Sequence, residues 1–107
     1  MSSTAIRDAL VEIAGPDQVL SDAADCWSYG YDNSRRHTAP AAVVFPQTHA
    51  QVVRIVQLCN QQRLPMVARG LGSGTVGAAV PLRGGVVLAM ERMAHIVAFD
   101  PANRTCV

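Results

Sequence analysis

The sequence predicts an α+β domain: a small parallel β-sheet flanked by helices, followed by the start of an antiparallel part. Two apolar runs, residues 42–45 and 86–90, have the length and continuity of strands that are buried on both faces. An amphipathic helix is predicted over residues 48–62, and a further strand over residues 64–68. A strand, a helix and a strand joined by short connections are typical of a right-handed parallel crossover.

The N-terminal segment predicts a helix. Thr4 is the candidate N-cap, an apolar stripe begins at Ile6, and Gly15 followed by Pro16 indicates a left-handed cap and then a helix breaker. A second, short helix is predicted from about Ser21, and the aromatic residues that follow it suggest a cluster at the edge of the core.

Local patterns also predict a helix cap at residues 48–51 and a hairpin at residues 96–107. Thr48 and Gln51 match a capping box, in which each side chain accepts a hydrogen bond from a free helix N–H group. Residues 96–99 and 105–107 predict an antiparallel hairpin around a turn at residues 100–103. The sequence stops within the second arm, so we expect residues 1–107 to be the N-terminal portion of one longer domain.

The composition limits the class of protein. A chain of 107 residues, half of them hydrophobic and 16% charged, predicts one globular domain at most. No apolar run approaches the ~18 residues of a membrane span, and no signal-peptide pattern opens the chain. Three widely spaced cysteines without a CxxC pair predict a reduced, cytoplasmic protein with neither a disulfide framework nor a zinc site.

The net charge of +1 conceals an asymmetry. Residues 1–32 contain six acids and one arginine, whereas residues 33–90 contain six arginines and no acid. An acid-free middle suits an anionic ligand, although compositional drift in a chain without lysine explains it equally well. Scattered arginines, five aromatic residues and a pI of about 7.8 argue against a nucleic-acid surface.

Glycine is concentrated in one loop. Six of the eight glycines fall within residues 68–85, ARGLGSGTVGAAVPLRGG, and turn chemistry accounts for Gly84 and Gly85. Gly72, Gly74 and Gly77 match a dinucleotide-binding fingerprint formally, but Pro81 and Gly84-Gly85 leave no room for the helix that such a fingerprint opens. A P-loop requires a lysine, which the chain lacks. We therefore favour a loop whose backbone N–H groups surround an anion such as phosphate over a tight structural loop.

Residues 29–107 resemble the FAD-linked oxidase family, which has a PCMH-type FAD-binding domain. The resemblance rests on Pro46, Thr48 and Val52 at the helix start, on Pro65 with the block RGLGSG, and on the run GAAVPLRGGVVL. The segment YGYDNSRR is similar to the part of the family that precedes these motifs. Within the family, the chain is most similar to the branch of D-lactate dehydrogenase and the FAD subunit of glycolate oxidase.

The resemblance implies that the glycine loop wraps the pyrophosphate of FAD with backbone N–H groups. The implied cofactor-binding residues are Arg69, Gly70, Leu71, Gly72, Ser73, Gly74, Gly77 and Ala78. Arg69 has two readings, since it provides charge for the pyrophosphate or braces the loop. Relatives that bond the flavin covalently have a histidine at the position of Ser73, so the resemblance implies non-covalent FAD.

The implied enzyme oxidises a 2-hydroxy acid such as D-lactate or glycolate by hydride transfer to FAD. Its catalytic residues and substrate site belong to the rest of the flavin domain and to a cap domain, neither of which lies within these 107 residues. His37, His49 and His95 lack the spacing of metal ligands. The alternative reading is a non-catalytic module that binds a nucleotide or a partner and self-associates through an open sheet edge.

Overall fold

The computed structural model describes all 107 residues. Helices pack on a mostly parallel sheet, and a separate antiparallel hairpin follows, as the sequence predicts. The elements in chain order are α1 (Ser3–Ala14), β1 (Val19–Leu20), α2 (Ala23–Cys26), β2 (Ala42–Val44), α3 (His49–Gln61), β3 (Met66–Arg69), β4 (Val86–Ala89), β5 (Phe99–Asp100) and β6 (Thr105–Cys106). Short 3₁₀ turns occupy Pro16–Gln18 and Trp27–Tyr29.

Strand β4 is at the centre of the main sheet, whose order is β1-β2-β4-β3. It runs parallel to β2 on one side and to β3 on the other, with Val87 opposite both Val43 and Val67. The strands β2 and β3 are therefore parallel but not adjacent, because the later strand is inserted between them. Strand β1, which pairs antiparallel with β2, was not predicted; two half-buried residues are too short for a periodic signal.

The sheet is covered on both faces. On one face, α1 and α3 pack over alternate residues of β2 and β4 around Leu10, Ile55 and Leu88. On the other face, Phe45 and Cys26 belong to a smaller cluster. Every residue of β2 and β4 is buried, which explains why their sequences are continuously apolar.

The helix ends differ from the predicted caps in detail. The N-cap of α1 is Ser2, whose hydroxyl accepts a hydrogen bond from the Ala5 N–H at 3.1 Å, so the assignment of Thr4 was wrong. Gly15 ends the helix with a positive φ of 94°, but its ψ of 157° is extended rather than left-handed helical. The prediction erred because Ser2 and Thr4 are both good caps and only the tertiary structure distinguishes them.

The cap of α3 follows the predicted pattern with one shift. The Thr48 hydroxyl accepts from the Gln51 N–H at 3.2 Å. The Gln51 side chain accepts from the Gln47 N–H at 2.8 Å, one residue before the position that a capping box specifies. The short second helix begins at Ala23 and is capped by Asp22.

The C-terminal hairpin forms as predicted but leaves apolar side chains in solvent. Val97 and Ala98 donate to the Val107 carbonyl, and Phe99 pairs with Cys106. Ile96, Val97, Phe99 and Val107 are each between 72% and 80% exposed. No helix of the chain is both long enough and apolar enough to cross a membrane.

Truncating Ile55, a fully buried residue of α3, tests the packing of that helix on the sheet. We expect Ile55→Ala to lower the free energy of unfolding by about 2–5 kcal/mol, since the surrounding side chains cannot fully close the cavity. The matched control is Val53→Ala on the same helix, at a side chain that is 40% exposed. It should change stability by no more than about 0.5 kcal/mol in urea unfolding. Equal losses would contradict the packing described.

Candidate functional site

The glycine loop connects β3 to β4, so it joins two parallel neighbours without a helix. Its second half is closed by local hydrogen bonds: Val80 donates to Gly77 at 3.1 Å, and Gly84 donates to Pro81 at 2.8 Å. Its first half is open to solvent, with Leu71 86% exposed. The exposed part of the loop coincides with the predicted anion-binding residues.

The backbone N–H groups from Gly70 to Ala79 donate to no backbone carbonyl. Backbone N–H groups are strong donors that native structures otherwise pair with an acceptor. Consecutive free N–H groups in a glycine-rich turn form a concavity that suits an anion. This run of donors contains every predicted binding residue except Arg69.

The carbonyl groups of the same loop are fixed by a segment far away in sequence. The Asn33 backbone N–H donates to the Gly74 carbonyl at 2.9 Å, and the Asn33 side chain donates to the Ser73 carbonyl at 3.1 Å. The loop is therefore held through these two carbonyls, while its N–H groups from Gly70 to Val76 donate to no group of the chain and those of Gly77 and Ala79 face Asp32. Sequence analysis missed Asn33, because a contact across 40 residues leaves no local pattern.

Arg69 is buried beneath the loop, with only 8% of its surface exposed. Its guanidinium donates to the carbonyls of Tyr31 (2.5 Å) and Ser28 (3.4 Å). No carboxylate lies within ion-pairing distance of it, as the one ion pair of the chain joins Arg7 to its neighbour. Of the two readings of Arg69, this geometry favours the bracing one.

The rings of Tyr29 and Tyr31 complete the surroundings of the guanidinium, whose carbon lies 5.5 and 5.9 Å from their centroids. Tyr29 also packs edge-on against Phe45 and donates its hydroxyl to Glu91 at 2.8 Å. Burial, followed by the hydrogen bond to Glu91, raises the pKa of Tyr29. The neutral phenol of Tyr29 therefore contacts both the buried guanidinium of Arg69 and the carboxylate of Glu91, which lies just after β4.

The aromatic group divides in two. Tyr29 belongs to the edge of the core, as expected, but Trp27 and Tyr31 are 57% and 40% exposed. His37 stacks on Trp27 with a centroid distance of 4.8 Å. His49 and His95 are exposed, and the chain has no group of three or more potential metal ligands.

Gly72 is required by Arg69. Its φ is +71°, and a Cβ atom there would lie 2.1 Å from the guanidinium. A side chain at Gly72 would therefore displace the arginine as well as narrow the loop. Gly84 and Gly85 both have a positive φ, of +71° and +76°, as turn chemistry predicts; at Gly85 the close Pro65 carbonyl also excludes a Cβ.

Gly70 and Gly74 are different, because nothing inside the chain requires glycine at either position. Neither has a positive φ, and a Cβ at either would meet no atom within 4 Å. Glycine nevertheless carries an entropic cost of roughly 0.5–1 kcal/mol relative to alanine. The missing side chains therefore leave open space beside the backbone at both positions.

Asp32 borders the loop and was not predicted as a site residue. It is 4% exposed, one carboxylate oxygen accepts from the Ser34 N–H at 2.7 Å, and the other oxygen has no partner. The nearby Ser34 hydroxyl and N–H lower the pKa of Asp32, with smaller effects from the N–H groups of Gly77 and Ala79. The carboxylate therefore faces the second half of the loop in its charged form.

The largest surface cavity, about 250 Å³, lies elsewhere. It is a surface groove between α1 and α3. Glu12, Arg54 and other residues of these helices line it, and no residue of the glycine loop does. The loop is a shallow exposed surface, so cavity size does not identify it as the site. The loop is distinguished instead by its free N–H groups and its open glycines.

Comparison with known proteins places this geometry in context. A family model described as an FAD binding domain matches residues 40–107. The chain is 31% identical to glycolate oxidase subunit GlcD of Bacillus subtilis, over 94% of this chain and 22% of the relative. It is 35% identical to D-2-hydroxyglutarate dehydrogenase of Stutzerimonas stutzeri, over all of this chain and 23% of that protein. The chain thus spans about a fifth of the length of these relatives.

Solved structures share the fold. An alkyldihydroxyacetonephosphate synthase superposes with a TM-score of 0.82 at 26% identity, over 99% of this chain and 24% of the other. A p-cresol methylhydroxylase with substrate bound superposes with a TM-score of 0.76 at 27% identity, over 92% of this chain and 20% of the other. The whole described chain therefore matches about a quarter or less of much larger proteins.

Removing the charge of Asp32 should remove part of the acid sensitivity of the fold. Because its folded-state pKa is lowered, Asp32 contributes stability above its unfolded pKa of about 4. That contribution is lost as the pH falls through the lower, folded-state pKa. We expect the difference in unfolding free energy between wild type and Asp32→Asn to shrink below about pH 4, as measured by urea unfolding across pH. A difference that stays constant down to the acid limit would contradict this assignment.

Proposed function

The chain belongs to the family of FAD-binding domains, and from this premise we propose that its glycine loop holds the pyrophosphate of FAD. The observation that carries the proposal is the run of N–H groups from Gly70 to Ala79 that have no backbone acceptor. The proposed contacts are Gly70, Leu71, Gly72, Ser73, Gly74, Gly77 and Ala78. Arg69 acts as a positioning residue beneath them.

The residues present fit a pyrophosphate in two ways. The open space above Gly70 and Gly74 lets phosphate oxygens reach the backbone, which a Cβ atom would obstruct. A hydrogen bond to a charged group is worth roughly 1.5–3 kcal/mol. Three or four such bonds outweigh the entropy that four glycines cost, roughly 2–4 kcal/mol in total.

Hydrogen bonds made by Arg69 and Asn33 hold the loop in place before an anion binds to its N–H groups. Arg69 fixes the end of β3 to the turn that contains Tyr31, and Asn33 fixes the carbonyls of Ser73 and Gly74. A loop that is held before the ligand arrives loses less conformational entropy on binding. The chain's own contribution is therefore a preorganised cradle, not an acid or base.

The protein that contains this chain is proposed to oxidise a small 2-hydroxy acid, in keeping with relatives named glycolate oxidase and D-2-hydroxyglutarate dehydrogenase. Bound FAD supplies the hydride acceptor for such a reaction. Ser73 offers no imidazole to the flavin, which supports a non-covalent cofactor. The substrate site belongs to the remainder of the protein, for which a cytoplasmic location stays a prediction from the cysteine pattern.

The test of the cradle is Gly74→Ala in the full-length protein. The methyl group meets nothing inside the chain, so the fold should keep its stability while the FAD affinity falls at least tenfold because the phosphate loses its close approach. The matched control is Gly15→Ala, where φ is +94° and the loop is distant in sequence. It should lower stability by about 1–3 kcal/mol and leave the affinity for FAD unchanged.

Both quantities are measured directly: FAD affinity by flavin fluorescence on reconstitution of the apoprotein, and stability by urea unfolding. Wild-type affinity in Gly74→Ala would refute the cradle. A loss of flavin in Gly15→Ala as well would mean that flavin retention merely follows stability.

The exposed hairpin favours a second role, self-association of the chain. Four large apolar side chains, one on β5 and three in the segments that flank the hairpin, lie in solvent, and an open strand edge is a template for pairing with another copy. We expect the 107-residue chain to sediment as a concentration-dependent dimer, and Phe99→Lys to make it monomeric. Leu82→Lys, at a side chain that is 57% exposed but outside the hairpin, should leave the dimer intact. A monomeric wild-type chain would remove this role.

A further inference from the structure

The proposed cradle lacks a free cation at the residue expected to provide one. The Arg69 guanidinium donates to two carbonyls, is enclosed by two tyrosine rings and is covered by Gly72. Arg69 is only 8% exposed, so little of its guanidinium is accessible from the open face of the loop. The charge of a diphosphate therefore needs another partner.

We propose that Arg36 is this partner and binds the pyrophosphate of FAD directly. This inference rests on the proposed function of the loop. A Cβ atom at Gly77 would lie 4.0 Å from Cδ of Arg36, which is ordinary contact distance, so the arginine stem lies against the loop. Gly77 follows the exposed stretch of free N–H groups, and the Arg36 guanidinium can reach an anion held there.

Local structure holds the Arg36 backbone in place. Its N–H donates to the Ser34 hydroxyl at 3.4 Å, and Ser34 is in turn bonded to Asp32. The side chain, in contrast, is exposed and engages no carboxylate. Arg36 is thus a cation on a fixed backbone whose donors are free, as an anion-binding arginine must be.

The charges around the loop make such a cation necessary. Asp32 is charged at neutral pH and faces the N–H groups of Gly77 and Ala79. Its negative charge repels a diphosphate, and no other acid occurs up to residue 90. An arginine at this end offsets the repulsion, and its planar fork can bind two oxygens of one phosphate. In this proposal Asp32 interacts with the N–H groups of the second half of the loop, and the positive charge of Arg36 offsets the repulsion between Asp32 and the diphosphate.

The experiment compares Arg36→Gln with Arg35→Gln in the full-length apoprotein. Each variant is titrated with FAD, and with riboflavin, which has no phosphate, at low and at high salt. We expect Arg36→Gln to weaken FAD binding at least tenfold, to reduce its salt dependence and to leave riboflavin binding unchanged. Arg36→Lys should recover part of the loss, and Arg35→Gln should stay within about twofold of wild type.

Three results would overturn the proposal. The first is wild-type FAD affinity in Arg36→Gln. If Gly74→Ala loses FAD in the same assay, the cradle stands and only the role of Arg36 fails; if Gly74→Ala also keeps FAD, the cradle fails too. The second is an equal loss in Arg35→Gln, which would indicate a diffuse field rather than a contact. The third is a parallel loss of riboflavin binding, which would indicate a structural role.

Discussion

The candidate site depends on a single buried cation, the guanidinium of Arg69. A guanidinium removed from water without a carboxylate is costly unless its N–H groups are satisfied in some other way. Here the carbonyls of Ser28 and Tyr31 supply the acceptors, and tyrosine rings supply polarisable faces. These requirements bring the turn at residues 28–34 against the end of β3, and they exclude a side chain at Gly72. The architecture of the site follows from satisfying Arg69.

In the loop above this cation, the backbone carbonyls and the backbone N–H groups are treated differently: some carbonyls are paired, and a run of N–H groups is not. Its carbonyls at Ser73 and Gly74 accept from Asn33, whereas its N–H groups from Gly70 to Val76 have no partner in the chain. A helix N-terminus achieves the same division, because helix formation consumes carbonyls and leaves the first N–H groups free. In this chain the division arises without a helix, through a second segment that lies about 40 residues earlier. Two strands and a turn thus leave N–H groups free in a row, as the first turn of a helix does.

How far the sequence predicts the structure depends on the range of the interactions. The strands β2 and β4 could be predicted because burial on both faces leaves a continuous apolar run. Helix α3 could be predicted from its cap and its periodicity. The insertion of β4 between β2 and β3, and the contacts of Asn33, Asp32 and Arg36 with the loop, could not, since they join segments that share no local pattern.

The position of β4 has a consequence for how this region is made. Strands β2 and β3 and both long helices are synthesised before β4, yet each strand pairs with it and both helices pack over it. Until residue 89 leaves the ribosome, β2 and β3 have no common neighbour and the helices have no complete surface beneath them. The 16 residues between β3 and β4 are rich in glycine, and as a flexible connection they allow β4 to insert between β2 and β3. The glycine loop thus also connects β4 to the part of the domain made before it, and co-translational folding of this region must wait until β4 has been synthesised.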